Sequence, residues 1–478
     1  MFRRSVDSDS DNDLSRHAIR PPVVAGAWYP GDPEQLAAAV DAYLAGITPV
    51  DGEPLALIVP HAGYVFSGAV AAGGFKQLAG VTYDVAVIIA ADHRPPVSKP
   101  ISVWASGGFE TPLGVVPVDK GLANALIAAD SRIRFDPAAH QGEHPIEIEL
   151  PFLQRVVPGC GIVPVLMGSD DEAVVRALAN ALTKTLSGRR AVIIASSDLS
   201  HYPQEQDAVN VDEATLAAIE VGNPAHLRAT VAHSMTAGVP NLVTCACGLG
   251  PILVTMQVSE GLGANMITRL SYANSAASAY GDSGRVVGYG AVMFWRYEPP
   301  SLTQEQQQQL LALARSAIRE HLQSGRTISY HTTDPVLNRR AGAFVTLLHK
   351  GELRGCTGHV PANRPLYEVV KERAVVTATA DHRFTPLTID ELDDLKIEIS
   401  VVSPLRRVSN IEQIEAGKHG LVIVHAGRRG LLLPEVPVRR GWDRETFLEA
   451  LCFKAGLPKG SWRQGATLFM FTTVEFGE

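Results

Sequence analysis

The chain has 478 residues, 46% of them hydrophobic and 19% charged, with a formal net charge of −8. At roughly 100–200 residues per domain this length implies several globular domains, and no apolar run approaches the roughly 18–20 residues of a membrane span. Residues 301–478 carry 23 Lys and Arg against 20 Asp and Glu, and the first 300 residues carry 19 against 30. That faint basic excess is far from the footprint of a dedicated nucleic-acid binder.

The chain opens on MFRRSVDSDSDNDLSRH, two arginines followed by polar residues with no apolar core. It reads as a disordered tail over residues 1–20 rather than a signal peptide. The five cysteines (Cys160, Cys245, Cys247, Cys356, Cys452) form neither a regular framework nor a CxxC pair, which suits a reducing cytoplasm. Strands are predicted at 55-LALIVP-60, 84-DVAVIIAA-91, 161-GIVPVLMG-168 and 190-RAVIIASS-197. Helical apolar spacing recurs at 67–79 and 172–186. Continuous Val/Ile runs alternating with helices predict an α/β sheet, in which ligands gather beyond the carboxyl ends of the strands. A last buried strand, 286-VVGYGAVMFW-295, precedes the linker RYEPPSLTQEQQQQ. Thr303 and Gln306 form a capping box there for the helix LLALARSAIREHL. Beyond it an α+β unit is predicted. Strands at 342–350 and 353–358 flank Gly351-Glu352, a helix covers 365–380, strands follow at 396–403, 420–427 and 430–436, and a helix spans 443–457.

Several strand-end loops carry unusual polar residues. Strand 55–60 ends at His61, strand 84–91 in Asp92-His93-Arg94, and strand 190–197 in Asp198-Leu199-Ser200-His201. The segment 138-AAHQGEHPIEIELPF-152 adds His140, His144, Glu147 and Glu149, and 244-TCACGLGPI-252 adds Cys245 and Cys247. One strand-end histidine reads as well as a hydrogen-bonded structural residue. Its recurrence after three strands favours a shared metal or acid–base site if those strands are parallel neighbours. Two imidazoles and one anionic ligand suit Fe(II) with open positions. Spacing does not decide which cysteine faces such a site, and Asp92 reads as a turn cap or an extra carboxylate. In the second unit Cys356 lies in 353-LRGCTG-358 beside Arg354 and His359. It reads as a nucleophile of lowered pKa or as a buried thiol in a tight hairpin. Cys452 reads as core.

The runs 25-AGAWYPGDPEQL-36, 60-PHAGYVFSG-68, 143-EHPIEIELPF-152, 196-SSDLSHY-202, 247-CGLGPI-252 and 272-YANSAASAYGDSGRVVGYGA-291 resemble the Memo family. The runs 342-GAFVTLLHKGELRGCTG-358, 381-DHRFTPL-387, 397-IEISVVSP-404, 427-GRRGLLLPEV-436 and 441-GWDRETFLEALCFKAGLP-458 resemble the AMMECR family. The resemblance implies a Memo-like domain over residues 21–297 and an AMMECR-like domain over 298–478, fused as in the AmmeMemoRadiSam system, with a radical SAM protein as partner. It further implies a LigB-like sheet flanked by helices, the fold of class III extradiol dioxygenases. A metal, Fe(2+) or else copper, would be held by His61, His93 and Cys247. His144 and His201 would be acid–base groups, with Asp198 orienting His201. A cysteine where the dioxygenases keep a carboxylate would soften the site, which puts plain ring cleavage of a small aromatic substrate in doubt. Two other readings are a non-catalytic scaffold binding a peptide or small ligand, and a hydrolase or transferase built on Cys356.

Overall fold

The computed structural model describes residues 19–50, 52–93, 100–297, 300–360, 362, 364–408, 410–425 and 427–478. Residues 1–18 of the expected tail, Arg94, and residues 298–299 of the linker lie outside them. Ile19 and Arg20, at the end of that tail, form a short strand parallel to Gly108–Thr111. The chain divides into two compact units between Arg296 and Tyr297. Among the described residues, no helix is long and apolar enough to cross a membrane.

In the first unit the strands Glu53–Val59, Ala191–Ser196, Val85–Ala91 and Gly161–Met167 lie side by side in that order. All three pairings are parallel. Their side chains from Val85 to Ala90 and from Val192 to Ala195 are fully buried. That explains the unbroken apolar runs, since each large apolar side chain removed from water contributes about 1.5–3 kcal/mol. Met266–Asn274 and Gly288–Arg296 extend one edge antiparallel, and Ile101–Val103 and Ile133–Arg134 extend the other. The sheet is therefore mixed around a parallel centre. The parallel strands bring the residues after Val59, Ala91 and Ser196 to one edge.

The helix predicted over 67–79 runs over Tyr64–Phe75 with Gly63 at its cap. It starts directly after His61, so the histidine occupies a short strand-to-helix turn. The helix predicted over 172–186 spans Glu172–Leu186 and packs on Leu249–Gly261, which the sequence pattern did not announce.

In the second unit the long helix Gln304–Ser324 carries the full capping box at Thr303 and Gln306 and ends at Gly325 in the left-handed region (φ 70°). Losing the Thr303 cap would cost about 1 kcal/mol. Its buried face (Leu310, Leu311, Ala314, Ile318) shares a core with Leu366–Thr379 and with one face of a four-stranded sheet. That sheet runs Glu352–His359, Gly342–His349, Leu395–Val402, Thr473–Gly477. A second sheet runs Arg406–Arg407, Thr467–Phe471, Gly420–His425, Arg428–Leu432. The strand predicted at 430–436 is displaced. It ends at Leu432, and a helix starts at Glu435 behind Pro434, because proline cannot continue a ladder.

Candidate functional site

His61 follows Pro60 out of the first parallel strand and is 3% exposed. Its backbone N–H donates to Asp198 Oδ1 at 2.9 Å. Its Nδ1 lies 2.9 Å from Ser196 Oγ, at the end of the neighbouring strand. The other ring nitrogen, Nε2, lies 3.3 Å from Cys247 Sγ. His93 leaves the third strand, donates its N–H to Glu143 Oε1 at 3.1 Å, and sets Nδ1 3.4 Å from Glu143 Oε2. The His144 ring completes a triangle, with centroids 5.6 Å from His61 and 5.4 Å from His93, nearly parallel to the latter. One ligand nitrogen from each of His61, His93 and His144 lies within 4.8 Å of the other two. The sequence placed His144 as an acid–base group beside the ligands. The structure places its ring in the donor cluster itself, because the loop after Gly142 folds over the strand ends.

Cys247 reaches the site because Gly248 lies against the strand end. A Cβ on Gly248 would stand 2.6 Å from the Ser197 Cβ. Cys245, two residues earlier, turns the opposite way and is fully buried, with its sulfur toward the Val231 carbonyl. His140 is also elsewhere. It is buried against Trp104 and Phe109, with Nε2 3.1 Å from Ser102 Oγ. Asp92 donates its N–H to the Met167 carbonyl and is not in the three-ring group. Glu147 is structural. It pairs with Arg20 and accepts from Val23, Val24 and Tyr29, tying down the segment that carries Trp28. The Trp28 ring then meets His144 edge-on at 4.3 Å.

The electrostatics favour neutral donors. Burial, reinforced by His93, His144 and His201, holds His61 well below the ordinary imidazole range. Burial and His93 lower His201 to about 4, and its Nε2 is buried without a hydrogen-bond partner. Burial pushes the Cys247 thiol up to about 12, with the Asp198 charge adding to it. Burial raises Asp198 to about 7 against the N–H groups of His61 and Ala62. Asp198 was expected to orient His201. Its carboxyl instead grips the backbone of His61, while His201 is held by its own backbone bridges to Thr244 and Val287. Three converging imidazoles, with the Cys247 sulfur against His61 Nε2, form a donor set for a borderline or soft transition metal. A bound cation would supply the charge that the thiolate needs. The residues present fit such a metal.

The second unit holds a separate cavity of about 690 Å³ between its two sheets. Cys356 faces it from an edge strand, directly opposite Thr346, whose hydroxyl donates to Sγ at 3.3 Å. Asp381 and Arg383 clamp the open side of that strand. The Cys356 N–H donates to Asp381 Oδ2 at 2.9 Å, and Arg383 Nη2 donates to the Cys356 carbonyl at 2.7 Å. His382, Arg383, Arg429 and Gly430 line the same cavity, whereas Arg428 turns to the Gly456 carbonyl. Of the two readings of Cys356, the buried thiol fits the structure and the nucleophile of lowered pKa does not. Burial raises the thiol, and Thr346 and Arg383 only partly oppose it. His359 is not its base, because residues three apart on a strand point to opposite faces. Cys452 is fully buried core.

Ser196, Glu143, Glu149 and Trp28 support or flank the site without having been assigned roles from the sequence. The only advance signal was their place inside the quoted runs, Trp28 in 25–36, Glu143 and Glu149 in 143–152 and Ser196 in 196–202.

Residues 20–293 match the family model described as "Memo-like protein", and residues 311–476 match the model described as "AMMECR1". The chain is 34% identical over 290 residues to a MEMO1 family protein of Methanobrevibacter smithii, covering 58% of this chain and 99% of that protein. It is 42% identical over 187 residues to Protein MK0488 of Methanopyrus kandleri, covering 37% and 90%. The crystal structure of the uncharacterized protein PH0010 from Pyrococcus horikoshii aligns at 36% identity over 37% of this chain and 93% of that one, with a TM-score of 0.36.

Proposed function

Because the chain belongs to the Memo-like protein family over residues 20–293 and carries an AMMECR1 domain over residues 311–476, we propose that its first unit is a mononuclear metal centre serving redox or modification chemistry on a small substrate. Iron is the metal this reading favours, with copper as the alternative that a thiol ligand would suit. The observation that carries it is the convergence of His61, His93 and His144 within 4.8 Å, with Cys247 Sγ 3.3 Å from His61 Nε2. His61, His93 and Cys247 are the proposed ligands, and His144 is close enough to be a fourth. The metal would supply Lewis acidity and one-electron chemistry. His201, neutral and with an unpartnered Nε2, would accept a proton from a substrate hydroxyl at the rim, and His144 would do so when not bound to metal. Trp28 would form a flat wall for the substrate against His144. Asp198 would hold the backbone turn at His61. We place this activity in the cytoplasm, alongside a radical SAM protein of the same system, on the strength of the fusion of the two domains in one chain.

Metal analysis after anaerobic purification tests the reading. Wild type should carry close to one equivalent of iron or copper and Cys247→Ser much less. Equally low metal in both would remove it and leave the scaffold reading. The cavity around Cys356 favours a second role for the AMMECR1 unit, which is to bind a small ligand. Its raised thiol weighs against a Cys356-dependent hydrolase or transferase.

A further inference from the structure

We infer that Glu149 acts as a neutral carboxyl group donating a hydrogen bond to Ser196, and that this pair fixes His61 in the tautomer whose Nε2 lone pair faces the cluster. The inference rests on the metal reading for its purpose but not for its geometry. Glu149 and Ser196 are fully buried, at 1% and 0% exposure.

Three groups surround the Ser196 hydroxyl. The Pro145 carbonyl lies 2.7 Å away, Glu149 Oε1 2.7 Å and His61 Nδ1 2.9 Å. A serine hydroxyl has one proton to donate and two lone pairs to accept with. The Pro145 carbonyl can only accept. If the hydroxyl proton goes to Glu149 or to His61, the carbonyl and hydroxyl oxygens face each other at 2.7 Å with no proton between them, at the cost of a buried unsatisfied acceptor. One arrangement satisfies every atom. The hydroxyl donates to Pro145, and Glu149 O–H and His61 Nδ1–H both donate to Ser196 Oγ. His61 then carries its proton on Nδ1, and the Nε2 lone pair faces Cys247 Sγ at 3.3 Å.

Two further facts agree. Burial holds the Glu149 carboxyl well above its ordinary range, and the Ser196 hydrogen bond only partly opposes it. The segment 143–149 also supplies the Glu143 carboxylate beside His93 Nδ1, so one stretch of chain orients two rings of the cluster by different means. His93 is given a charged acceptor and His61 a neutral one. Partners of this kind set the tautomer and basicity of metal-binding imidazoles, and their loss commonly costs about 10–100-fold in metal affinity.

The full-length chain, labelled with ¹⁵N-histidine and stripped of metal, gives the test. Long-range ¹H–¹⁵N correlations read which nitrogen of His61 is protonated, with His61→Gln assigning the signal, and zinc titration reads affinity without redox chemistry. Wild type and Glu149→Gln should both show Nδ1–H, because the glutamine amide donates to Ser196 as the neutral acid does. Their zinc affinities should agree within about threefold, against a loss of about 10–100-fold in Ser196→Ala, which should also populate the Nε2–H form. The inference is overturned if Glu149→Gln matches Ser196→Ala, since a carboxylate anion would then be required, or if wild-type His61 is protonated at Nε2. A wild type that takes up no zinc would defeat the metal reading, and the tautomer signals would still decide this one.

Discussion

The two units each present a thiol to a functional candidate, and they do so in opposite ways. Around Cys247 the neighbours are themselves lone-pair donors. His61 Nε2 lies at 3.3 Å, with the His93 and His144 rings behind it. Around Cys356 the neighbours are hydrogen-bond donors already in use, with Thr346 on the sulfur and Arg383 on the carbonyl. The first arrangement gathers ring nitrogens of three histidines at a point where a cation can enter. The second is complete as it stands and encloses a volume of about 690 Å³. Convergent imidazole nitrogens mark a metal centre, and hydrogen-bonded groups around open volume mark a pocket for an organic ligand.

The largest expected effect would break this contrast if it failed. His61→Ala should abolish metal uptake while leaving the far-UV circular dichroism unchanged, because a strand-end ligand adds little to the core. Cys356→Ser should leave uptake at the wild-type level. Metal retained in His61→Ala, or lost in Cys356→Ser, would erase the distinction between the sites.

Asp381→Ala addresses the second unit. It removes a buried carboxylate that accepts from Cys356 N–H and from Arg383, so the unit should lose about 2–3 kcal/mol in urea denaturation. A loss under about 0.5 kcal/mol would show that the clamp on the edge strand is idle.

The pH response should separate the units next. Burial, with help from the Arg20 charge, lowers His140 to about 3. The folded state keeps this imidazole neutral while the unfolded chain protonates near 6.5. Its stabilising contribution is therefore present above pH 6.5 and is lost as pH falls from there toward about 3, at about 1.4 kcal/mol per pH unit. Denaturation of the full chain between pH 7 and 5 should show this contribution added to those of the buried His61 and His201, and His140→Gln should reduce the slope by up to about 1.4 kcal/mol per pH unit. An unchanged slope in the variant would place the acid sensitivity elsewhere.

The smallest effect sharpens the reading of Cys356. Its alkylation at pH 7.5 should run a few-fold slower than that of a free thiol, and Arg383→Ala should slow it further by removing the nearby cation. A fast-reacting Cys356 would revive the nucleophile reading.

Much of the first site was legible because its residues end apolar runs. His61, His93, Asp198 and His201 each follow a stretch of Val, Ile and Ala that could only be a buried strand, and the runs around them carried the family resemblance. The roles within the site were less legible. Asp198 was expected at His201 and binds the turn of His61, 137 residues away in the chain. His144 was expected beside the donors and stands among them. Glu147 and Glu149 looked alike in sequence, yet one pairs with Arg20 and the other meets Ser196. In the second unit the cysteine was picked out, but its electrostatic direction was not. That direction depends on desolvation by a facing sheet, which no local pattern reports.

By itself, the sequence determined the central parallel strands, several of the helices, though not Leu249–Gly261, and which strand ends carry imidazole, carboxyl and thiol groups. These follow from periodicity and from local polar interruptions, which are short-range properties of the chain. The tertiary structure decided the lateral order of the parallel strands, the entry of His144 into the cluster, and the partners that hold His61. Each of these depends on groups dozens to more than a hundred residues apart being desolvated together. Proton sharing and pKa are set by that burial, and they exist only once the fold has closed.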